Sequence, residues 1–372
     1  MIKVGIMTGR TITLLFAMVL MAGCAFAEMG PRIGPDKKII HLPQSWPDAA
    51  YCRENVREME RLPFDGIGIW PYAEIDGKRE NLWTRWFHPE RIPEDLVADT
   101  VRNLKATEFR KFTDNFLYMA SLCYPLDTPG WWDDEAWEKI TANMALAARI
   151  ARDCELKGIM LDVEQYGESS STYWYRFNYL DAHAKEKKLL AAGKIDRNHT
   201  WEEFAAGARR RGRQIMAAMC EVYPEITLIS ILGFHDVAKR DGQNSDADAW
   251  ERDGLPSSSY ALLAPFTDGL MEGAAKEATI IDGAESAYPF KLNKQFVERR
   301  ATIENAFDVS AVPELYKKKM NVAFGLMLDY GYHSGRWHTD PRELHRNHFT
   351  PAQFGSALYF AMLNTDRYVW VW

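Results

Sequence analysis

One unit recurs along the chain: a short apolar run, then a loop, then an amphipathic stretch. The apolar runs cover residues 39–42, 66–70, 116–120, 158–164, 226–233, 269–272, 322–328 and 368–372. Stretches with helical periodicity lie between them, at 49–61, 93–106, 134–155, 201–223 and 292–307. Pro47-Asp48 before the first, and Thr200 followed by Glu203 before the fourth, supply helix start signals. Strands alternating with helices imply a parallel sheet, and runs that are apolar throughout imply a sheet covered on both faces. Eight such strands close a (β/α)8 TIM barrel, and 372 residues accommodate one with large loops. An open doubly wound sheet is the competing arrangement, but no Gly-rich phosphate loop follows the first strand.

Two segments qualify the count of strands. Residues 279–288 (TIIDGAESAY) have strand character but are expected to form part of a long insertion after strand six. The chain also stops at Tyr-Val-Trp-Val-Trp, inside strand eight, where a complete barrel needs a further loop and helix. The expectation is therefore a barrel truncated at its C-terminal end, as in a truncated gene product or a fragment.

The first 27 residues read as a leader rather than as fold. Lys3 and Arg10 give a positive start, residues 12–22 form an apolar run, and Ala25-Phe26-Ala27 matches a small-x-small cleavage site. Met21-Ala22-Gly23-Cys24 also resembles a bacterial lipoprotein signal, with lipidation of Cys24 and membrane attachment as its consequence. The run is shorter than the ~20 residues that a spanning helix needs. The expectation is an exported or lipid-anchored protein with one catalytic domain over residues 28–372. Cys52, Cys123, Cys154 and Cys220 match no zinc spacing and are read as buried thiols. A net charge of −7 without a long basic run excludes nucleic acid as a partner.

Chemistry concentrates at the end of strand four, in the segment GIMLDVEQY. Barrel enzymes carry catalytic side chains at the C-terminal ends of strands. Residues two apart on a strand point the same way, so Asp162 and Glu164 share a face near the barrel mouth. Two carboxylates held close resist double ionisation, which leaves an acid beside an anion, as glycosidic cleavage requires. Charged groups at the end of an apolar strand are costly unless they act. The plainer reading is a pair of loop-facing acids, or an acid that tethers an arginine.

This segment resembles the D-x-E strand of chitinase-type and endo-N-acetylglucosaminidase-type barrels. The resemblance implies Glu164 as general acid and Asp162 as its partner. The fuller D-x-x-D-x-D-x-E pattern is absent, since Lys157 and Met160 stand at its upstream positions. Val163 before Glu164 also differs from barrels with Asn-Glu on strand four. A second carboxylate is then sought among Asp329, Glu285, Glu272 and Asp282, with Asp329 and Glu285 favoured.

Aromatic residues support a carbohydrate substrate. Many of the 13 Trp, 16 Tyr and 18 Phe fall in loops rather than strands, and flat apolar rings suit the C–H faces of sugars. Trp70, Trp131, Trp132, Tyr166 and Trp174 are the candidate binding rings, with His235 and His333 as polar partners. His41, His235 and His333, with Asp162, Glu164 and Asp329, also form the basis of a rival reading as a metal-dependent hydrolase or esterase. A lyase using Tyr166 and Arg176, and a non-catalytic glycan-binding surface lipoprotein, complete the alternatives. The main reading, a glycoside hydrolase, calls for no cofactor and no metal, and is silent on oligomeric state.

Overall fold

The computed structural model describes residues 36–123, 128–164, 176–233, 258, 260–331, 342 and 344–372. The leader and Cys24 lie outside these residues, as do Tyr166, Trp174, His235 and His333.

The strands of the main sheet are β1 (Lys38–His41), β2 (Gly66–Ile69), β5 (Phe116–Ala120), β6 (Gly158–Asp162), β7 (Thr227–Ser230), β8 (Thr279–Asp282), β9 (Met320–Val322), β10 (Phe324–Leu326) and β11 (Tyr368–Val371). A separate antiparallel hairpin, β3 (Tyr72–Ile75) and β4 (Lys78–Asn81), follows β2. All pairings in the main sheet are parallel, in the order β10-β11-β1-β2-β5-β6-β7-β8-β9. β9 and β10 are two halves of one strand, interrupted only at Ala323. The first half pairs with β8 and the second with β11, so the two ends of the sheet meet. The result is the expected eight-stranded (β/α)8 barrel.

Strand alternation divides the apolar residues into two populations. Ile40, Leu42, Trp70, Phe116, Tyr118, Met160, Ile229, Ile281, Ala323, Tyr368 and Trp370 form one buried cluster inside the barrel. Their sequence neighbours, such as Ile67, Leu117, Ile159, Leu161 and Leu228, join the cluster between sheet and helices. Size is matched across the interior: a Cβ on Gly325 would lie 2.4 Å from the Trp370 ring, so only glycine admits that indole.

Helices follow most strands in the order anticipated. α1 (Ala49–Met59) begins at Asp48, which accepts from the Tyr51 amide at 2.8 Å. α2 (Ala98–Lys105) follows a short 3-10 turn, and α3 is Asp134–Asp153. α4 (Tyr179–Ala191) precedes α5 (Trp201–Val222), whose start is a capping box between Thr200 and Glu203. α6 (Leu263–Gly273), α7 (Asn293–Asn305), α8 (Pro313–Lys319) and α9 (Pro351–Asn364) complete the described layer. None of the described helices is long and apolar enough to cross a membrane.

One strand assignment is corrected. Residues 269–272 lie within α6, and the sixth barrel strand is Thr279–Asp282, in the segment read from sequence as an insertion. Glycines on either side of LME suggest a short strand, yet here they serve helix packing. A Cβ on Gly269 would lie 1.9 Å from the Arg209 carbonyl oxygen, so α6 presses directly against α5. Glu272, a candidate acid, makes a bidentate pair with Arg209 at 2.7 and 2.9 Å in this outer layer, away from the barrel interior. Cys52, Cys123, Cys154 and Cys220 are buried and form no disulfide.

Candidate active site

At the C-terminal end of the strands a cavity of about 540 Å3 opens to solvent. Glu164, following β6, lines it from one side. Glu285, in the turn after β8, lines it from another and is itself 8% exposed. Tyr118, Tyr288, Tyr330 and Trp372 supply aromatic walls.

The geometry at Glu164 originates in Asp162. Met160 and Asp162 share the inward face of β6, and Asp162 is completely buried. Its Oδ2 accepts a 2.8 Å hydrogen bond from Tyr118 Oη on the neighbouring β5. Its Oδ1 accepts from the Glu164 amide at 2.8 Å, which turns the chain as β6 ends. Asp162 therefore holds the backbone of Glu164 and the phenol of Tyr118, two groups that border the cavity.

β8 ends in a comparable turn. Asp282, 1% exposed, accepts from the Ala284 amide at 3.1 Å. Ala284 is buried and adopts φ 41°, ψ 56°, a left-handed conformation unfavourable for a residue with a Cβ. The turn is tied to its surroundings by Gly283 N to Ser230 O (2.7 Å), Glu285 N to Ile231 O (2.9 Å) and Trp370 Nε1 to Gly283 O (2.8 Å). Gly233 packs closely on this turn: a Cβ there would lie 1.8 Å from Asp282 Oδ2, so a larger residue would displace the Asp282 side chain.

The remaining sequence candidates have other positions. Asp329 is half-buried in the turn after β10; its neighbours Met327 and Tyr330 line the cavity, and Asp329 does not. Trp70 is buried beneath the mouth, with its ring 4.4 Å from Tyr118 and 5.4 Å from Trp83, so it forms floor rather than surface. Trp131 is buried against Trp137, Phe177 and Phe266, a packing role in place of the expected binding one. Trp132 borders a separate cavity of about 290 Å3, stacked on His199.

His41 alternates with the inward Ile40 and Leu42 and stacks on Phe64 at 4.4 Å, outside the barrel. Burial lowers its pKa from 6.5 to about 4. Arg176 is buried between the Phe87 and Trp137 rings, donating to the Ser121 and Phe87 carbonyls. Burial lowers its pKa to about 10. This setting corrects its candidacy as a carboxylate-binding group. Among the described residues, no group of three His, Cys, Asp or Glu side chains is placed to hold a metal ion.

Tyr118, Tyr288, Trp372 and the turn at Ala284 were not singled out from sequence. A lone tyrosine on the inward parity of FLYMA was the available signal for Tyr118. A left-handed alanine leaves no signal in a single sequence.

No protein-family model and no curated protein matches the chain. Among solved structures, the chain is similar to an exo-β-1,4-mannosidase from an Opitutaceae bacterium, strain TAV5, with 13% identity and a TM-score of 0.45. That alignment covers 90% of this chain and 51% of the mannosidase, so the chain spans about half the length of that structure. It is also similar to a β-mannanase from the blue mussel Mytilus edulis, with 12% identity and a TM-score of 0.39 over 90% of this chain and 86% of the mannanase.

Proposed function

We propose that this chain is a glycoside hydrolase that cleaves glycosidic bonds in a poly- or oligosaccharide, using Glu164 as proton donor and Glu285 as the second carboxylate. The observation that carries the reading is that both glutamates line one cavity at the barrel mouth, among Tyr118, Tyr288, Tyr330 and Trp372. Sugar rings present apolar C–H faces that suit such walls, while two carboxylates supply both protonation and nucleophilic or base assistance. Glu164 protonates the departing glycosidic oxygen. As that bond breaks, Glu285 either bonds to the anomeric carbon, giving a glycosyl ester that a water deprotonated by Glu164 then hydrolyses, or takes a proton from a water that attacks the anomeric carbon itself. Carboxylates about 5–5.5 Å apart correspond to the first course and about 6.5–9.5 Å to the second. Asp162 is a positioning residue in this scheme, because both its oxygens accept hydrogen bonds from groups at the cavity wall.

Release of reducing ends from a broad panel of glycans, followed by proton NMR of the first anomer formed, tests the activity and its stereochemistry together. Retention supports attack by Glu285, inversion supports activation of water, and no hydrolysis of any glycan rejects the reading. Export by the leader at residues 1–27 belongs to the same proposal, and the mass of the mature N-terminus tests it.

A further inference from the structure

Trp46 stands in the loop after β1 and is 50% exposed, so half of its indole surface faces solvent. Its backbone has φ 51°, the left-handed region that bulky residues rarely enter. The surrounding loop is firmly anchored. Leu42 N donates to Val371 O at 2.8 Å, Trp46 N to Pro43 O at 3.1 Å, and Trp70 N to Pro47 O at 3.0 Å. The loop is thus tied to both β11 and β2, and the strained residue is held in place rather than left to relax.

The ring extends an aromatic series that starts in the catalytic cavity. Trp372 lines that cavity, its ring is 6.5 Å from Trp70, and Trp70 is 5.5 Å from Trp46. Gln44, two residues before Trp46, also lines the cavity. Trp46 therefore presents open indole surface in the same hydrogen-bonded loop as Gln44 of the cavity wall, one ring contact from Trp70. A backbone held in an unfavourable conformation beside the cavity, with an open aromatic face, is a pointer to function at that ring.

We infer that Trp46 is an outer sugar-binding platform, on which a pyranose ring stacks when the rest of an oligosaccharide occupies the cavity between Glu164 and Glu285. The inference rests on the glycoside hydrolase reading and adds to it that the substrate is a chain longer than the central cavity alone accommodates. A preordered aromatic surface binds without the entropic loss of ordering a loop. Its contribution belongs to binding, so it acts on KM for long substrates and leaves the reacting bond unaffected.

The test compares wild type with Trp46→Ala and Trp46→Tyr, on aryl monoglycosides and on gluco-, manno- and xylo-oligosaccharides from disaccharide to hexasaccharide. The expected result for Trp46→Ala is a KM raised about tenfold on the longest active oligosaccharides, with kcat and aryl monoglycoside turnover unchanged. Trp46→Tyr should recover most of the loss. Equal losses on short and long substrates, or no change at any length, overturn the platform. Calorimetric titration with the same oligosaccharides gives a readout independent of turnover. If no glycoside is hydrolysed yet Trp46→Ala abolishes oligosaccharide binding, the platform stands and the hydrolase reading fails. If binding is unchanged, or if Trp46→Ala instead dissociates a dimer into monomers, the platform is overturned.

Discussion

Tyr118 Oη donates a 2.8 Å hydrogen bond to Asp162 Oδ2, across adjacent strands and inside a fully buried environment. The other oxygen of Asp162 holds the Glu164 amide at 2.8 Å. One buried carboxylate thereby links the third and fourth barrel strands to the group proposed as proton donor.

Replacing Tyr118 by Phe removes one of the donors to a buried carboxylate while conserving the ring. Leaving such an acceptor short of a partner costs about 1–3 kcal/mol, to be read by urea denaturation. Because Tyr118 also lines the cavity, kcat should fall more than KM rises. Unchanged stability together with unchanged kcat would count against the link between Asp162 and the site.

The turn before Glu285 makes a second prediction. Ala284 is buried in the left-handed region, where a branched side chain is worse tolerated than a methyl and glycine is comfortable. Ala284→Gly should stay within about 1 kcal/mol of wild type, as lost burial and relieved backbone strain offset each other. Ala284→Val should cost about 2 kcal/mol or more and lower kcat by displacing Glu285. Thermal unfolding and steady-state kinetics on both variants check this contrast.

Much of the arrangement was legible in the sequence, for identifiable reasons. The period-two pattern along GIMLDVEQY placed Asp162 on the inward face of β6; the strand ends there, and Glu164 reaches the cavity through the turn held by its amide on Asp162 rather than by strand parity. The strand and helix order followed from alternating apolar runs and from caps at Asp48 and Thr200. Gly269 and Gly273 misled because a glycine reads as an interruption until its packing partner is known, here α5. The position of Glu285 at the mouth depends on a backbone dihedral at Ala284 and on hydrogen bonds from Gly283 and Glu285 to the carbonyls of Ser230 and Ile231, some fifty positions upstream, which local pattern does not encode. Trp70, one residue past the end of β2, and Trp131, in the loop between β5 and α3, both read as loop rings, yet both are buried in packing.

His41 gives a stability prediction with a definite sign. Its folded pKa is about 4 against an ordinary 6.5, because burial against Phe64 disfavours the charged ring. Above pH 6.5 both folded and unfolded states are neutral and the residue contributes no pH dependence. Between pH 6.5 and 4 the unfolded chain binds the proton first, so folding stability declines as pH falls, and below pH 4 the decline from this group ends. His41→Asn should flatten that part of the stability profile, measured by denaturation at successive pH values. An identical slope in the variant would assign the effect elsewhere.

Arg176 supplies a test of burial without compensation. The guanidinium has carbonyl and aromatic neighbours, no carboxylate within ion-pair distance among the described residues, and Nη1 unsatisfied. Exchanging a poorly compensated buried charge for an apolar side chain of similar length is often neutral or stabilising. Arg176→Met should therefore fall within about 1 kcal/mol of wild type, whereas Arg176→Ala should cost about 2–4 kcal/mol by leaving a cavity. Chemical denaturation of the pair distinguishes packing from charge as the reason this residue is retained.

The assignment of Glu164 as proton donor is tested most directly by varying the leaving group in Glu164→Gln. A donor matters where the departing oxygen is basic and not where it leaves unaided. Glu164→Gln should lose at least about a hundredfold in kcat/KM on natural oligosaccharides, yet remain within about tenfold of wild type on dinitrophenyl glycosides, whose leaving group needs no proton. Equal losses on both substrates, or full activity on oligosaccharides, would contradict the role of Glu164 as the acid.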